Sequence, residues 1–199
     1  IDGDGADEIL TAPLTGGGPH VSFFRSNGTK LGNLFPFEST YRGGLSLAAV
    51  DINGDGRAEI AAVPLGGRIT EVKISDPFSR QLLVTAKPFA NFSGGADLSV
   101  MHRNGVTELL ASAGAGGGPQ VVSINPFTGG RGSLNFFPVA KTWRGGIVAK
   151  PLTYSLTNET SLVLSVGSLA LTTDQLSLYG SSTSTSTTGF SYKQQSVAP

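Results

Sequence analysis

The stretch Asp-Ile-Asn-Gly-Asp-Gly-Arg-Ala-Glu, residues 51–59, sets side-chain oxygens at its first, third, fifth and ninth positions, on Asp51, Asn53, Asp55 and Glu59. The carbonyl of Arg57 falls at the seventh. Oxygen donors on alternate residues of a folded-back loop converge on a hard cation, and calcium takes about six to eight oxygens at about 2.3–2.6 Å. Gly54 and Gly56 give the backbone the freedom to turn sharply, including at positive φ. Without a cation, three carboxylates this close repel one another. These residues therefore predict a calcium site with Asp51, Asn53, Asp55, Arg57 and Glu59 as ligands. An EF-hand shares the opening pattern but requires a bidentate glutamate at position 12 and flanking helices. Position 12 here is Ala62, and the segment after Glu59 reads as a strand, which argues against that motif.

The loop recurs. IDGDGADEI from Ile1 matches INGDGRAEI from Ile52, nominating Asp2, Asp4, Glu8 and the Ala6 carbonyl as a second site whose first ligand position falls before Ile1. Asp-Gly and Asn-Gly alone form hairpin turns readily. A full copy and a nearly full copy in register favour metal binding over simple turns. The third copy, VMHRNGVTEL from Val100, has His102 and Asn104 in the second and third ligand places and keeps only Glu108, so no calcium is expected there. In the fourth, YSLTNETSL from Tyr154, the ligand pattern is lost.

What positions such loops is a repeat of about 50 residues, a period typical of propellers, solenoids and arrays. Tyr41, Phe92 and Trp143 stand 51 residues apart, each followed by one spacer and Gly-Gly, and prolines 36, 88 and 138 precede them. TGGGPHV from Thr15 is echoed by AGGGPQV from Ala115, with LGGRITEV from Leu65 in the middle copy. The second unit reads as four short strands, roughly Leu45 to Ile52, Glu59 to Pro64, Ile69 to Ser75 and Leu82 to Lys87, bounded by Gly, Pro, Asp and Asn. Abundant Gly (28), Pro (11) and β-branched residues oppose helices. The expected fold is all-β: a propeller of about four four-stranded antiparallel blades, approximately 1–50, 51–100, 101–150 and 151–199, the first lacking its opening strand. Opening partway through a repeated loop, the chain reads as a piece of a longer polypeptide and of a larger propeller. The Ser/Thr-rich tract after Tyr179 reads as a solvated loop.

Composition excludes several chemistries. Fourteen Lys plus Arg balance fourteen Asp plus Glu, leaving no net charge to attract nucleic acid. With no cysteine there is neither a disulfide framework nor a thiolate site. No run of about 18 apolar residues is present to form a transmembrane helix. His20 and His102 occupy non-matching places without companions at metal spacing, and no Gly-x-Ser-x-Gly nucleophile elbow occurs. The glycine-rich run ending at Pro119 lacks the Lys-Ser/Thr of a phosphate loop and is a repeated turn. Tyr41, Phe92 and Trp143 read as inter-blade packing groups before they read as a carbohydrate platform.

The acidic loops, the GGGPHV and GGGPQV turns and the YRGG, FSGG and WRGG anchors resemble the FG-GAP or VCBS-like repeats of integrin alpha-subunit heads and bacterial surface proteins. The resemblance covers three units well and the fourth weakly; position 9 is Glu where the family more often has Asp. It implies a Ca2+-binding, extracellular or cell-surface module for adhesion or structure, with a protein or glycan partner or self-association, rather than an enzyme. Two alternatives stand beside it: the propeller domain of a secreted polysaccharide-degrading enzyme, and a subunit of a surface layer or filament.

Overall fold

The computed structural model describes residues 1–103, 105–154 and 159–166. Their regular structure is entirely β, in four antiparallel sheets. The first holds β1 (Glu8–Thr11), β2 (Val21–Arg25) and β3 (Lys30–Leu34). The second holds β4 (Leu45–Val50), β5 (Glu59–Pro64), β6 (Val72–Ser75) and β7 (Leu82–Ala86). The third holds β8 (Ala96–Arg103), β9 (Val106–Ala113), β10 (Val121–Ile124) and β11 (Arg131–Phe136); the fourth pairs β12 (Ile147–Tyr154) with β13 (Glu159–Val166). Each sheet is a meander in chain order, as in propeller blades. Among the described residues neighbouring sheets are not paired to one another, and they form successive blades of an array.

The four strands expected for the second unit are all present, with ends trimmed. The β4–β5 ladder stops at Val50 opposite Glu59, which puts Ile52 in the acidic loop, and residues 69–71 belong to the turn before β6. The Ser/Thr-rich tract lies outside the described residues.

Strand composition follows from stacking. All six residues of β5 are buried, because its two faces serve two cores. Ile60 and Ala62 join Val21, Phe23, Leu34, Phe37, Tyr41 and Leu45 between the first and second sheets, while Ala61 and Val63 join Val72, Ile74, Leu98, Leu109 and Ala111 between the second and third. A strand with no solvent face reads as a continuous apolar run, and its alanines let sheets approach on both sides. Neighbouring blades are also bonded along their first strands. Ser46 Oγ donates to Asp97 Oδ1 at 3.1 Å and accepts from Leu98 N at 3.0 Å, and Ser99 Oγ donates to the Ala149 carbonyl at 2.9 Å.

The aromatic-x-Gly-Gly anchors form the seams between blades. A Cβ on Gly43, Gly94 or Gly145 would fall within 2.2–2.3 Å of the preceding aromatic ring or its hydroxyl, so each ring folds back over a glycine. The next glycine is left-handed in all three copies, with φ of 82°, 76° and 80°. A Cβ on Gly44 would stand 1.6 Å from the Leu14 carbonyl oxygen, so only glycine allows this approach of backbone to backbone. Tyr41 Oη donates to the Gly44 and Gly66 carbonyls at 2.9 and 2.7 Å, and Trp143 Nε1 to Gly146 at 2.8 Å. Phe92 has no polar tip and packs edge-on against Phe89. The seam fits the packing role expected of these aromatics.

Candidate metal centre

The two acidic loops share one local architecture. In the second, Asp55 N donates to Asn53 Oδ1 at 3.0 Å and Arg57 N to Asp55 Oδ1 at 2.8 Å; in the first, Asp4 N donates to Asp2 Oδ1 at 3.1 Å and Ala6 N to Asp4 Oδ1 at 2.9 Å. These are successive Asx turns, in which each short carboxylate or amide side chain bonds the backbone two residues on. They require left-handed backbone between them. Gly3 and Gly5 have φ of 80° and 81°, and Gly54 and Gly56 of 74° and 82°. The loops also touch, since a Cβ on Gly3 would lie 3.2 Å from Arg57 Cγ and 3.4 Å from the Gly56 carbonyl oxygen.

Glu59, 3 % exposed, closes the second loop from below by accepting from Ile52 N at 2.9 Å, and at the matching place Glu8 pairs with the terminal ammonium of Ile1. Burial pushes the Glu59 carboxyl above its ordinary range, and the charges of Asp55 and Asp51 push the same way, against the pull of the Ile52 N–H. Asp51 behaves oppositely. Burial raises it, but N–H groups of Gly56, Gly54 and Asn53, at 2.9, 2.7 and 3.2 Å, outweigh burial and hold its carboxyl below the usual value. Asp51 is therefore a fixed anion, and Glu59 an acid poised against its neighbours.

Among the described residues, Asp2, Asp4 and Glu8 form the acidic cluster tight enough to hold an ion, with ligand oxygens all within 4.8 Å of one another. In the second loop the place matching Asp2 holds the amide Asn53, so the equivalent donors there are one amide and two carboxylates, Asp55 and Glu59. The first loop also has a partner that sequence reasoning did not single out, Arg25. From β2 its guanidinium lies 2.9 Å from Asp2 Oδ2 and 3.5 Å from Asp4 Oδ2, bridging the two carboxylates. The matching place in the second blade holds an acid, Asp76, whose Oδ1 accepts from Phe78 and Ser79 N–H groups. No local pattern in the sequence marks Arg25 as a loop partner, because the contact spans 23 residues.

The third copy has closed up. Pairing of β8 with β9 continues through His102–Thr107 to Arg103–Val106, leaving a tight hairpin in place of a loop. His102 Nδ1 stands 2.9 Å from Thr107 Oγ1, and Glu108 turns away to accept from Ser133 N and Oγ at 2.6 and 2.7 Å. Asn104 and residues 155–158 of the fourth copy lie outside the described residues.

A family model, the FG-GAP-like repeat, matches residues 1–62. Residues 1–62 carry an FG-GAP-like repeat. The match takes in both acidic loops, the GGGPHV turn and the first aromatic-Gly-Gly seam, and it ends within β5. No curated protein and no solved structure matches the chain. Within the FG-GAP-like repeat the donors are carboxylate, amide and carbonyl oxygens alone, a set that suits a hard cation such as calcium and lacks the nitrogen and sulfur that zinc or copper prefer. Asp2, Asp4 and Glu8, with the Ala6 carbonyl, fit such an ion in the first loop. Asp51, Asn53, Asp55 and Glu59, with the Arg57 carbonyl, offer the same set in the second.

Proposed function

We propose that the chain is a calcium-stabilised propeller module, working outside the cell or on its surface, that presents loops on rigid blades to a protein or glycan partner and performs no catalysis. The observation that carries the reading is the loop geometry built twice: the same Asx turns, left-handed glycines and buried glutamate clamp recur 51 residues apart around clustered acids. The FG-GAP-like match over both loops supports it. Calcium would neutralise carboxylates that the fold already holds close, and extracellular modules of this kind work at about 10⁻⁴ to 10⁻³ M, where calcium outside cells is abundant. Self-association of such modules is the same reading with a second copy as partner. The direct test is chelation. EGTA should lower the melting temperature, and equilibrium dialysis should count two calcium ions per chain. An unchanged melt in saturating chelator would refute the reading.

A further inference from the structure

The antiparallel meanders sort the connections onto two ends, and the two ends differ in charge. Loops at the acidic end carry Asp2, Asp4, Asp7, Asp51, Asp55 and Asp76 against Arg57 and Arg80, with Arg25 at the end of β2 paired to Asp2 and Asp4. Connections at the other end carry Arg42, Arg68, Lys87, Lys141 and Arg144 against Glu38 and Glu71. Both of those glutamates lie on Arg68, so Arg42, Lys87, Lys141 and Arg144 are exposed with no acid paired to them among the described residues.

Arg42 belongs to a built cluster. Its Nη1 donates to the Ser39 and Tyr41 carbonyls at 2.5 and 2.8 Å, which fixes the guanidinium through one nitrogen and leaves the Nε–Nη2 edge available. A Cβ on Gly18 would stand 3.6 Å from that Nη1, so the glycine turn borders the charge without a side chain to screen it. His20 N donates to the Gly18 carbonyl at 2.7 Å, and the His20 ring stacks on Phe35 with centroids 4.8 Å apart and planes 18° from parallel. Phe35 is 58 % exposed. One face of its ring is held by the imidazole, leaving the other as an apolar platform on the same end of the blade as the Arg42 cation. The third blade repeats the plan: Gln120 follows Gly118-Pro119 as His20 follows Gly18-Pro19, Phe137 precedes Pro138 as Phe35 precedes Pro36, and Arg144 follows Trp143 as Arg42 follows Tyr41. Arg144 Nη1 likewise donates to the Lys141 and Trp143 carbonyls, and Lys141 Nζ lies 4.9 Å over the Phe137 ring. The second blade has Lys87 and Ser93 in place of the aromatic and the arginine.

We infer that this end of the array binds an acidic polysaccharide of the hexuronate class, with sugar rings lying on Phe35 and ring carboxylates taken by Arg42 and Arg144. An apolar ring face suits the C–H face of a pyranose, and the guanidinium edge suits a carboxylate in bidentate geometry. Two such groups on one end favour a polymer over a single sugar.

The inference rests on the interaction-module reading for its setting but not on calcium, because its residues lie at the end away from the acidic loops. The experiment is isothermal titration of the whole chain with an oligogalacturonate, and with its fully methyl-esterified counterpart, at low salt in EGTA. Wild type should bind the acid form at least about tenfold more tightly than the ester, the loss expected for one charged hydrogen-bond pair. Arg42→Ala and Arg144→Ala should each weaken it by about tenfold, with Arg42→Lys between because lysine keeps the charge but not the fork. Phe35→Ala should weaken it by about three- to tenfold with no change in charge. Phe35 and Arg42 are exposed, so all variants should melt as wild type does. Failure of wild type to bind overturns the proposal. So does full affinity in Phe35→Ala, which would mean unspecific attraction of a polyanion, and so does binding that appears only with calcium, which would place the carboxylates on the acidic loops. A melt insensitive to EGTA together with binding in EGTA would remove the calcium reading and leave this one standing.

Discussion

Replacing one acid in each loop separates the two candidate sites. Asp4→Ala removes a carboxylate from the tight cluster with Asp2 and Glu8, and Asp55→Ala removes its counterpart 51 residues on. At an affinity near 10⁻⁴ M, about 10 mM calcium gives a ratio of about 100, so each filled site stabilises the fold by about 2.7 kcal/mol. In a chain of this size 1 kcal/mol moves Tm by about 2–4 °C, so each site should raise it by about 5–11 °C. Both aspartates lie at the surface, and each accepts a local amide, Ala6 N at 2.9 Å and Arg57 N at 2.8 Å. Without calcium the variants should therefore melt close to wild type. Scanning calorimetry in EGTA and in calcium reads the difference. Wild type should show the full calcium shift, each single variant about half, and the double variant none. A full shift in Asp55→Ala would refute the second site, and a shift surviving in the double variant would show that calcium acts elsewhere.

Arg25→Gln should raise calcium affinity at the first loop by a few-fold, because it removes a cation that competes for Asp2 and Asp4 across a largely solvated contact; a calcium titration of Asp55→Ala and of Asp55→Ala/Arg25→Gln reads this at one site alone. Tyr41→Phe deletes the donor to the Gly44 and Gly66 carbonyls in the buried seam and should cost about 1–3 kcal/mol in urea denaturation, equally with and without calcium. Asp76 is held below its usual range by the N–H of Ser79 first and of Phe78 next, against burial. Its folded value lies under its unfolded one, so its contribution is present above the unfolded value and is lost as pH falls through the folded value. Asp76→Ala should flatten that part of the acid limb of stability against pH.

How much of this could be read from residues alone varied with the range of the interaction. The β-strands of the second blade were legible because apolar runs and Gly, Pro and Asp punctuation act over a few residues, as at Glu59–Pro64. The acidic loops were legible because alternate oxygens and intervening glycines are a local code. Arg25 was not, since it reaches Asp2 across a sheet, nor was the turning of Glu108 toward Ser133, 25 residues away. The role of Glu59 was half legible. Its position in the ligand pattern nominated it as a donor, while its buried bond to Ile52 N shows that it also clamps the loop base.

The three described copies together say why the acids and the loop go together. Where the donors are absent, β8 and β9 pair onward to Arg103–Val106 and the backbone satisfies itself. Where they are present, the ladder stops at Val50–Glu59 and residues 51–58 take their hydrogen bonds from Asp and Asn side chains instead. That exchange leaves carboxylates crowded together, with Glu59 pushed toward its protonated form and Asp2 and Asp4 leaning on Arg25. An open loop thus carries an electrostatic cost that a closed hairpin avoids. A divalent cation would offset that cost, and because the Asx turns have already ordered the donors, little further conformational entropy would be lost on binding. Any stabilisation by an ion would therefore act at the loops and not at the blades, whose cores and glycine seams are complete without it.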